Sequence, residues 1–261
     1  DFGKGKVLFN SAEFDEDEVS FHRAEFGEGK VSFNGAEFGE GKVSFHRAEF
    51  GERKVSFNSA EFGDGEVLFD SAEFGEGEVS FDWAEFGEGE ASFHRAEFGE
   101  GGGSFDSATI AATLQLIETR FDCESTVVFT DAEFRDDVMF SSTTDESVPY
   151  AQHSLNFSGA TFRSALSFGG GDSTTQTEHA EREEPRFDVV FAGDVDFSNV
   201  TFPDGVDFSA TRFPADADFT GAILEDADFS DADVTGTDDI SAASFDGANL
   251  TGANFTRATL A

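Results

Sequence analysis

Phenylalanine recurs at fixed intervals through the first 108 residues. One series occupies positions 2, 14, 26, 38, 50, 62, 74, 86 and 98, and a second occupies 9, 21, 33, 45, 57, 69, 81, 93 and 105. A small apolar residue lies two places earlier in each half-unit, as with Ala12 before Phe14 and Val19 before Phe21. Residues i and i−2 face the same side of a β-strand. The pattern therefore predicts short strands, each centred on a Phe and carrying one large and one small core residue.

Other residues repeat at twice this unit and indicate the size of one coil. The His-Arg pairs at 22/23, 46/47 and 94/95, with Asp70-Ser71 in the intervening place, follow a 24-residue rhythm. Two strands in every twelve residues then give four strands per coil. The longer interval contains Gly-x-Gly, as in Gly27-Glu28-Gly29, which predicts a corner with positive φ. We expect a four-sided solenoid.

The spacing also divides the chain into segments. Residues 1–140 are predicted to be solenoid with twelve-residue units, in which Ile110 and Ile117 continue the Phe positions before a register slip near 119–126. A loop at 141–154, a solenoid segment at 155–168 and a mobile loop at 169–186 follow, because the two loop segments are polar and break the pattern. Units of five and six residues then fill 187–261, and all segments form one continuous repeat domain.

Ten Phe residues illustrate the predicted core in both halves. They are Phe14, Phe21, Phe26, Phe33, Phe38, Phe45, Phe197, Phe202, Phe208 and Phe213.

The last units carry a resemblance to a known family. Ala-Asn-Leu-Thr-Gly at 248–252, Ala-Asn-Phe-Thr-Arg at 253–257 and Ala-Asp-Phe-Ser-Asp at 227–231 closely resemble pentapeptide repeats. The resemblance implies an all-β fold: a right-handed, four-sided parallel β-helix with Phe or Leu at the inward centre of each side. The acidic composition also resembles proteins of extreme halophiles, which suggests a haloarchaeal type.

The net charge of the chain excludes some classes of function and leaves others open. The chain has 55 acidic and 16 basic residues, for a formal charge of -39. Direct nucleic-acid binding is not expected, because phosphate contacts need clustered Lys or Arg. Adaptation to high salt explains the acidity, and imitation of DNA is the alternative, since some proteins that this chain resembles are acidic rods that bind gyrase.

Candidate sites are few, and each has a structural explanation. His22 and His46 lie one coil apart with His94 beyond them, but a solvated ladder with Arg23, Arg47 and Arg95, offsetting the repulsion within the Glu columns, is favoured over a metal site. The Gly-Gly-x-Gly-x-Asp repeat of calcium solenoids is absent, and Cys123 is the lone cysteine. We expect no metal, no cofactor and no enzyme activity. Trp83 and Tyr150 join the His and Arg residues as candidate partner contacts.

The expected function is a non-enzymatic scaffold or protein-interaction rod with an unknown protein partner. A DNA mimic that binds a type II topoisomerase is the first alternative, and the soluble arm of a larger membrane or signalling protein is the second, because both ends look truncated. No apolar run is long enough for a membrane segment. We expect a cytoplasmic location, and end-to-end stacking of two copies into a homodimer is an open alternative.

Overall fold

The computed structural model describes residues 2–14, 18–121, 126–141, 154–168, 189–190, 194–213, 217–235 and 243–260. These segments form parallel strands and turns, with no helix among them. The predicted loops at 141–154 and 169–186, together with Tyr150 and Cys123, lie almost wholly or wholly outside the described residues.

The strands stack into four sheets that form the sides of a coil. The first face consists of Val7–Leu8, Val31–Ser32, Val55–Ser56, Val79–Ser80, Gly103–Ser104, Thr126–Val128, Ser154–Asn156, Val195–Asp196 and Ala217–Asp218. The second face consists of Glu13–Phe14, Glu37–Phe38, Glu61–Phe62, Glu85–Phe86, Thr109–Ile110, Glu133–Phe134 and Thr161–Phe162.

The third face consists of Glu18–Ser20, Lys42–Ser44, Val67–Leu68, Glu90–Ser92, Thr113–Ile117, Val138–Ser141 and Leu166–Phe168. The fourth face consists of Glu49–Phe50, Glu73–Phe74, Glu97–Phe98 and Arg120–Phe121. A separate pair joins Val189–Val190 to Thr211–Arg212. Isolated parallel bridges continue the stacking through Ser244, Asn249, Asn254 and Thr259.

The pairing register confirms the four-sided coil. Val7 pairs with Val31, Val31 with Val55, and Val55 with Val79, always in parallel. Phe38 is the last residue of its strand and Phe33 directly follows its strand, and most Phe residues share these two placements, so the expectation of Phe at the strand centre was wrong. The strand ends at Phe because the chain turns a corner immediately afterwards, as when Ala36 N donates to Phe33 O at 3.0 Å.

The core is a set of Phe columns that run the length of the stack. Phe57 is fully buried, with its ring stacked on Phe33 at 5.0 Å and on Phe81 at 4.9 Å, and edge-on to Phe45 and Phe69 at 5.4 Å. Such offset and edge-to-face pairs add to the stabilisation from burial alone. Eight of the ten predicted core Phe residues are at most 2% exposed; Phe14 and Phe21, in the first coil, are only partly buried.

One expectation about the core was wrong. Ile110 is fully buried, but Ile117 is only partly buried, and Leu116 occupies the core position instead. The cause is a change of register, because Ala91 pairs with Leu114 and Phe98 with Phe121, one residue earlier than the regular interval. The regular interval returns where Gly103 pairs with Val127.

The Gly-x-Gly corners also differ from expectation. Gly27 has φ of 67°, but Gly51, Gly63 and Gly75 do not have positive φ. A Cβ on Gly51 would lie 1.7 Å from the carbonyl oxygen of Gly27 in the preceding coil. Glycine is therefore required because neighbouring backbones come too close for any side chain. The positive φ values lie at the other corners, as at Arg23, Arg47 and Ser59.

Candidate interaction surface

The outward side chains form ladders along the stack, and the His-Arg corner is the first of them. The rings of His22 and His46 stack at 5.1 Å with an interplanar angle of 1°. Burial and the neighbouring Arg47 guanidinium lower the pKa of His46. Asp70 occupies the next level, so His94 lies beyond the stacked pair. The structure brings together the first two of the three predicted His-Arg pairs.

The three arginines of this corner do not neutralise the glutamates that follow them in sequence. Arg95, with φ of 56°, pairs with Glu118 in the next coil, and Glu97 is paired instead with Arg120 at 2.9 Å. Arg23 and Arg47 form no ion pair within the described residues. The left-handed corner places the Arg95 side chain beside the neighbouring coil rather than beside its own strand. Of the three arginines expected to offset repulsion within the Glu columns, only Arg95 forms an ion pair within the described residues, and its partner Glu118 lies in the next coil.

Two glutamate ladders lie on the second and fourth faces, as the 24-residue rhythm predicts. Glu37, Glu61 and Glu85 are consecutive partners on the second face. On the fourth face Glu49, Glu73 and Glu97 are consecutive partners. Strand spacing places the carboxylates of each ladder about 4.8 Å apart, so neighbouring charges repel.

Lysines pair with corner glutamates beside both ladders, and Lys42 pairs with Glu66 beside the second face at 2.8 Å. Beside the fourth face, Lys4 pairs with Glu28 at 2.8 Å and Lys54 with Glu78 at 2.9 Å, both between residues 24 apart. Among the described residues, no Lys or Arg forms an ion pair with the second-face ladder from Glu37 to Glu85. The second-face carboxylates from Glu37 to Glu85 thus have no ion-pair partner within the described residues, and the same holds for Glu49 and Glu73 on the fourth face.

This second-face ladder ends at a pair of arginines. Glu133 accepts hydrogen bonds from Arg135 at 3.2 Å and from Arg163 at 2.6 Å. These two bonds hold the pKa of Glu133 below its ordinary value. The uncompensated part of the face is therefore limited to the earlier coils.

A groove runs along one edge of the second face, at the corner that leads to the third. It encloses about 490 Å³ and is lined by Glu37, Phe38, Gly39, Glu40, Glu61, Phe62, Gly63, Asp64, Glu85, Phe86, Gly87, Glu88, Thr109, Ala111 and Arg135. Gly39, Gly63 and Gly87 form its floor, where a Cβ on Gly63 would lie 2.4 Å from Gly39 O. The glycine corners thus create an acidic channel parallel to the stack.

Trp83 lies at the opposite edge of the same face. Its side chain is 64% exposed, and its backbone has φ of 60°. The matching corner positions of the neighbouring coils are Ser59 and Ser107, which have φ of 54° and 55°. A bulky residue in the left-handed region is uncommon and costs free energy relative to Gly or Asn. The fold does not need an aromatic ring at this position.

A polar ladder that the sequence analysis missed runs beside Trp83. Ser56 Oγ donates to Asn58 Oδ1 at 2.9 Å, and Ser80 Oγ also donates to Asn58. Ser56 and Ser80 are at most 1% exposed. The ladder comprises Ser32, Ser56, Ser80 and Ser104 with Asn10, Asn34, Asn58 and Asp82. The signal was present in the sequence as Ser and Asn or Asp repeating every 24 residues.

Carboxylates replace the amides of this ladder next to Trp83. Asp82 accepts a hydrogen bond from Ser104, and Asp106 N lies 3.3 Å from Asp82 Oδ1. Burial, followed by the charges of Asp82 and Asp131, raises the pKa of Asp106. This corner therefore adds further negative charge to the edge at which Trp83 is exposed.

The described residues contain neither a metal-binding cluster nor a membrane-spanning helix. No group of three or more His, Cys, Asp or Glu side chains there could hold a metal ion. No described segment is a helix with the length and apolar character needed to cross a bilayer. The outward ladders, the groove and Trp83 are thus the features on which a functional argument can rest.

Family models identify repeats in the C-terminal part of the chain. Two models described as pentapeptide repeats match residues 187–233 and 239–261. No curated protein sequence matches the chain.

Solved structures with similar coordinates include HetL, a pentapeptide repeat protein involved in heterocyst differentiation regulation from the cyanobacterium Nostoc sp. strain PCC 7120. The TM-score is 0.33 at 14% identity, covering 100% of this chain and 93% of that one. A trypsin-treated form of QnrB1, a plasmid-mediated fluoroquinolone resistance protein, has a TM-score of 0.30 at 12% identity, covering 99% and 90%.

Proposed function

We propose that the chain is a pentapeptide-repeat protein, because residues 187–233 and 239–261 match models of such repeats, and that it acts as a non-enzymatic interaction rod. Its partner is a protein, its location is the cytoplasm, and its acidity maintains it in concentrated salt. The observation that carries the proposal is the first face, where nine parallel strands stack in one sheet. Such a sheet makes a long, stiff surface with outward positions free to vary.

Charge repulsion on the second face and its screening by salt together support the proposal that salt stabilises the fold. The uncompensated second-face carboxylates repel one another, and the Debye length falls to about 3 Å in 1 M salt. Added KCl should therefore relieve a repulsion that the described ion pairs do not offset on that face.

The salt dependence can be measured by circular dichroism during thermal melting, from about 0.1 M to 4 M KCl. We expect the β signal to persist and the melting temperature to rise with KCl. The matched charge-neutral pair Glu61→Gln with Glu85→Gln should melt higher than wild type at low salt and converge with it at high salt. A melting temperature that is independent of KCl would contradict salt adaptation.

The interaction role needs a separate experiment in cells of the source organism. A photo-cross-linking residue is introduced singly at Glu61, Glu66 and Glu73, which lie outward on or beside three faces. We expect covalent adducts to other proteins, concentrated at one of these positions. Absence of adducts from all three positions would overturn the interaction role without affecting the salt argument.

The second candidate function is imitation of DNA toward a type II topoisomerase. The observation that favours it is the presence of two separate columns of glutamates, one on the second face and one on the fourth. Repeated negative charge along a rod is the property that a DNA-binding groove recognises. Gyrase supercoiling should then be inhibited in proportion to the concentration of the rod. Equal inhibition by an unrelated acidic protein of similar charge would sink this candidate.

A further inference from the structure

The second face between Trp83 and the groove combines an exposed tryptophan, a glutamate ladder and an acidic groove. These three features occur together nowhere else among the described residues. Within one stretch of chain, Trp83 is the corner, Glu85 is on the strand, and Glu88 lines the groove at the next corner. Glu61 and Asp64 repeat the acidic part in the preceding coil. We call these five residues the Trp83 surface.

The Trp83 surface carries four carboxylates, and, among the described residues, the one cation that lines its groove is Arg135, which interacts electrostatically with Glu85. The four carboxylates form no ion pair within the described residues, because the lysines at the corners after the second and fourth faces, Lys42 and Lys54, pair with Glu66 and Glu78. Asp82 and Asp106 add two more carboxylates beside the tryptophan corner. A partner for this surface must therefore supply positive charge, because any other partner would have to desolvate these groups without replacing their interactions.

The exposed indole ring of Trp83 indicates which cationic side chain the partner would present. Trp83 is 64% exposed at a corner where neighbouring coils have Ser59 and Ser107. Indole is the preferred ring for cation-π contact, and the planar guanidinium both stacks on it and forms two hydrogen bonds to a carboxylate. The ring therefore favours arginine over lysine as the contacting residue.

The shape indicates an extended segment rather than a single ion. The groove is open, has a glycine floor, and runs along the stack for several coils between Glu37 and Arg135. Acidic side chains line it at successive levels, about 4.8 Å apart. No compact metal-binding group is present among the described residues. Several cationic side chains from one flexible chain could contact these levels together.

We propose that the Trp83 surface docks an arginine-rich extended segment of a protein partner, with one guanidinium stacked on Trp83 and others paired with Glu85, Glu61 and the groove carboxylates. This inference rests on the proposed interaction role and assigns its surface and the chemistry of its partner. The segment crosses the second face from the tryptophan corner to the glycine-floored groove. The fourth face, where Arg95 and Arg120 lie beside Glu73 and Glu97, is not part of the site.

The sole tryptophan provides a direct assay. An oligo-arginine peptide is titrated into the full chain at about 0.5 M KCl, where the Debye length lies between about 3 and 8 Å. We expect saturable quenching of Trp83 emission and weaker binding of an oligo-lysine peptide of equal length. Emission that does not change at any peptide concentration, while circular dichroism shows a folded rod, would overturn the surface assignment. The interaction role would still stand on its cross-linking test.

Matched variants separate a site from general attraction to an acidic rod. Glu61→Gln with Glu85→Gln removes two charges from the second face, and Glu49→Gln with Glu73→Gln removes two equivalent ladder charges from the fourth. We expect the first pair to weaken peptide binding about tenfold, measured by anisotropy of a labelled peptide, and the second pair by less than about twofold. Equal weakening by both pairs would overturn the proposal.

The tryptophan is tested by replacement with the residue of its neighbouring coils. Trp83→Ser leaves the ladder charges intact and should preserve the fold, because serine occupies this corner at positions 59 and 107 with similar φ. We expect binding of the labelled oligo-arginine peptide to weaken about tenfold and the preference over oligo-lysine to disappear. Unchanged affinity and preference would remove Trp83 from the site and overturn the proposal as stated.

Discussion

Replacing Gly51 by alanine tests how closely the coils approach at the Gly-x-Gly corners. The added Cβ would lie 1.7 Å from Gly27 O and 2.6 Å from Gly27 C, whereas ordinary contact begins at 3.4 Å. Both atoms belong to backbone, so no side-chain rotation can relieve the clash. The two coils must separate locally along the stack.

The cost can be worked out from the bonds beside this corner. Glu49 N donates to Ala24 O, and Phe26 N donates to Glu49 O, both at 2.9 Å. Losing these two bonds costs about 1 kcal/mol each, and overpacking adds about 1 to 3 kcal/mol. We therefore expect Gly51→Ala to lower the free energy of unfolding by about 3 to 5 kcal/mol. Local relaxation of the coil would place the value at the lower end.

The assay is urea unfolding followed by circular dichroism at fixed KCl. Urea is chosen because guanidinium chloride is a salt and would screen the glutamate ladders. Gly5→Ala is the matched control, since nothing lies within 4 Å of its Cβ and its φ is not positive. It should be neutral or stabilise by up to about 1 kcal/mol through the unfolded state.

A third variant separates steric clash from backbone conformation. Gly247 has φ of 70° but nothing within 4 Å of a built Cβ, so Gly247→Ala should cost only about 1 to 2 kcal/mol. If Gly51→Ala is as stable as Gly5→Ala, the coils do not approach as described. If it costs no more than Gly247→Ala, the close contact is relieved without loss of the neighbouring hydrogen bonds.

Two further predictions concern the core and the polar ladder. Phe57→Ala should lower the free energy of unfolding by about 3 to 5 kcal/mol in the same urea assay, because the ring is fully buried among six other Phe rings; a loss below about 1 kcal/mol would contradict the stacked columns. Asp106→Asn should raise the melting temperature near neutral pH. The raised folded-state pKa of Asp106 means that its charged form opposes folding above that pKa, and that this penalty disappears as the pH falls through it. Wild type should therefore gain stability relative to the variant on acidification, and parallel pH profiles would refute the assignment.

The spacing of apolar residues was sufficient to predict the four-sided coil, because each core position recurs and its neighbours in the stack are 24 residues apart. Ile117 was misplaced because both Leu116 and Ile117 are apolar, and alternation within Thr113–Ile117 decides between them only when the pairing of Ala91 with Leu114 is known. A one-residue shift reverses the side of every residue in a strand.

The glycine corners and the ion pairs show a different limit of prediction from the sequence. Positive φ is the usual reason for glycine at a turn. Close approach of a neighbouring coil also requires glycine, so the sequence of the turn does not distinguish the two causes. Arg95 could be paired with Glu97 by sequence proximity, but its partner is Glu118, because the corner conformation directs it along the stack. Trp83 was identified from the sequence as an outward residue; the acidic groove along the edge of the second face required coordinates.

The change of register around residues 110–127 has a consequence for how such a chain can vary. Relative to the regular 24-residue interval, the pairing of Ala91 with Leu114 is one residue short, and the pairing of Gly103 with Val127 restores the interval. From there on, the Val, Phe and outward positions occupy the same columns as before. Small insertions and deletions are thus absorbed at the corners, because coils of different length, such as those from Gly103 to Val127 and from Val195 to Ala217, keep the same core columns. Gain or loss of a whole 24-residue unit would lengthen or shorten the rod by one strand spacing. Length and surface chemistry can therefore change independently, one by duplication of coils and the other by point substitution.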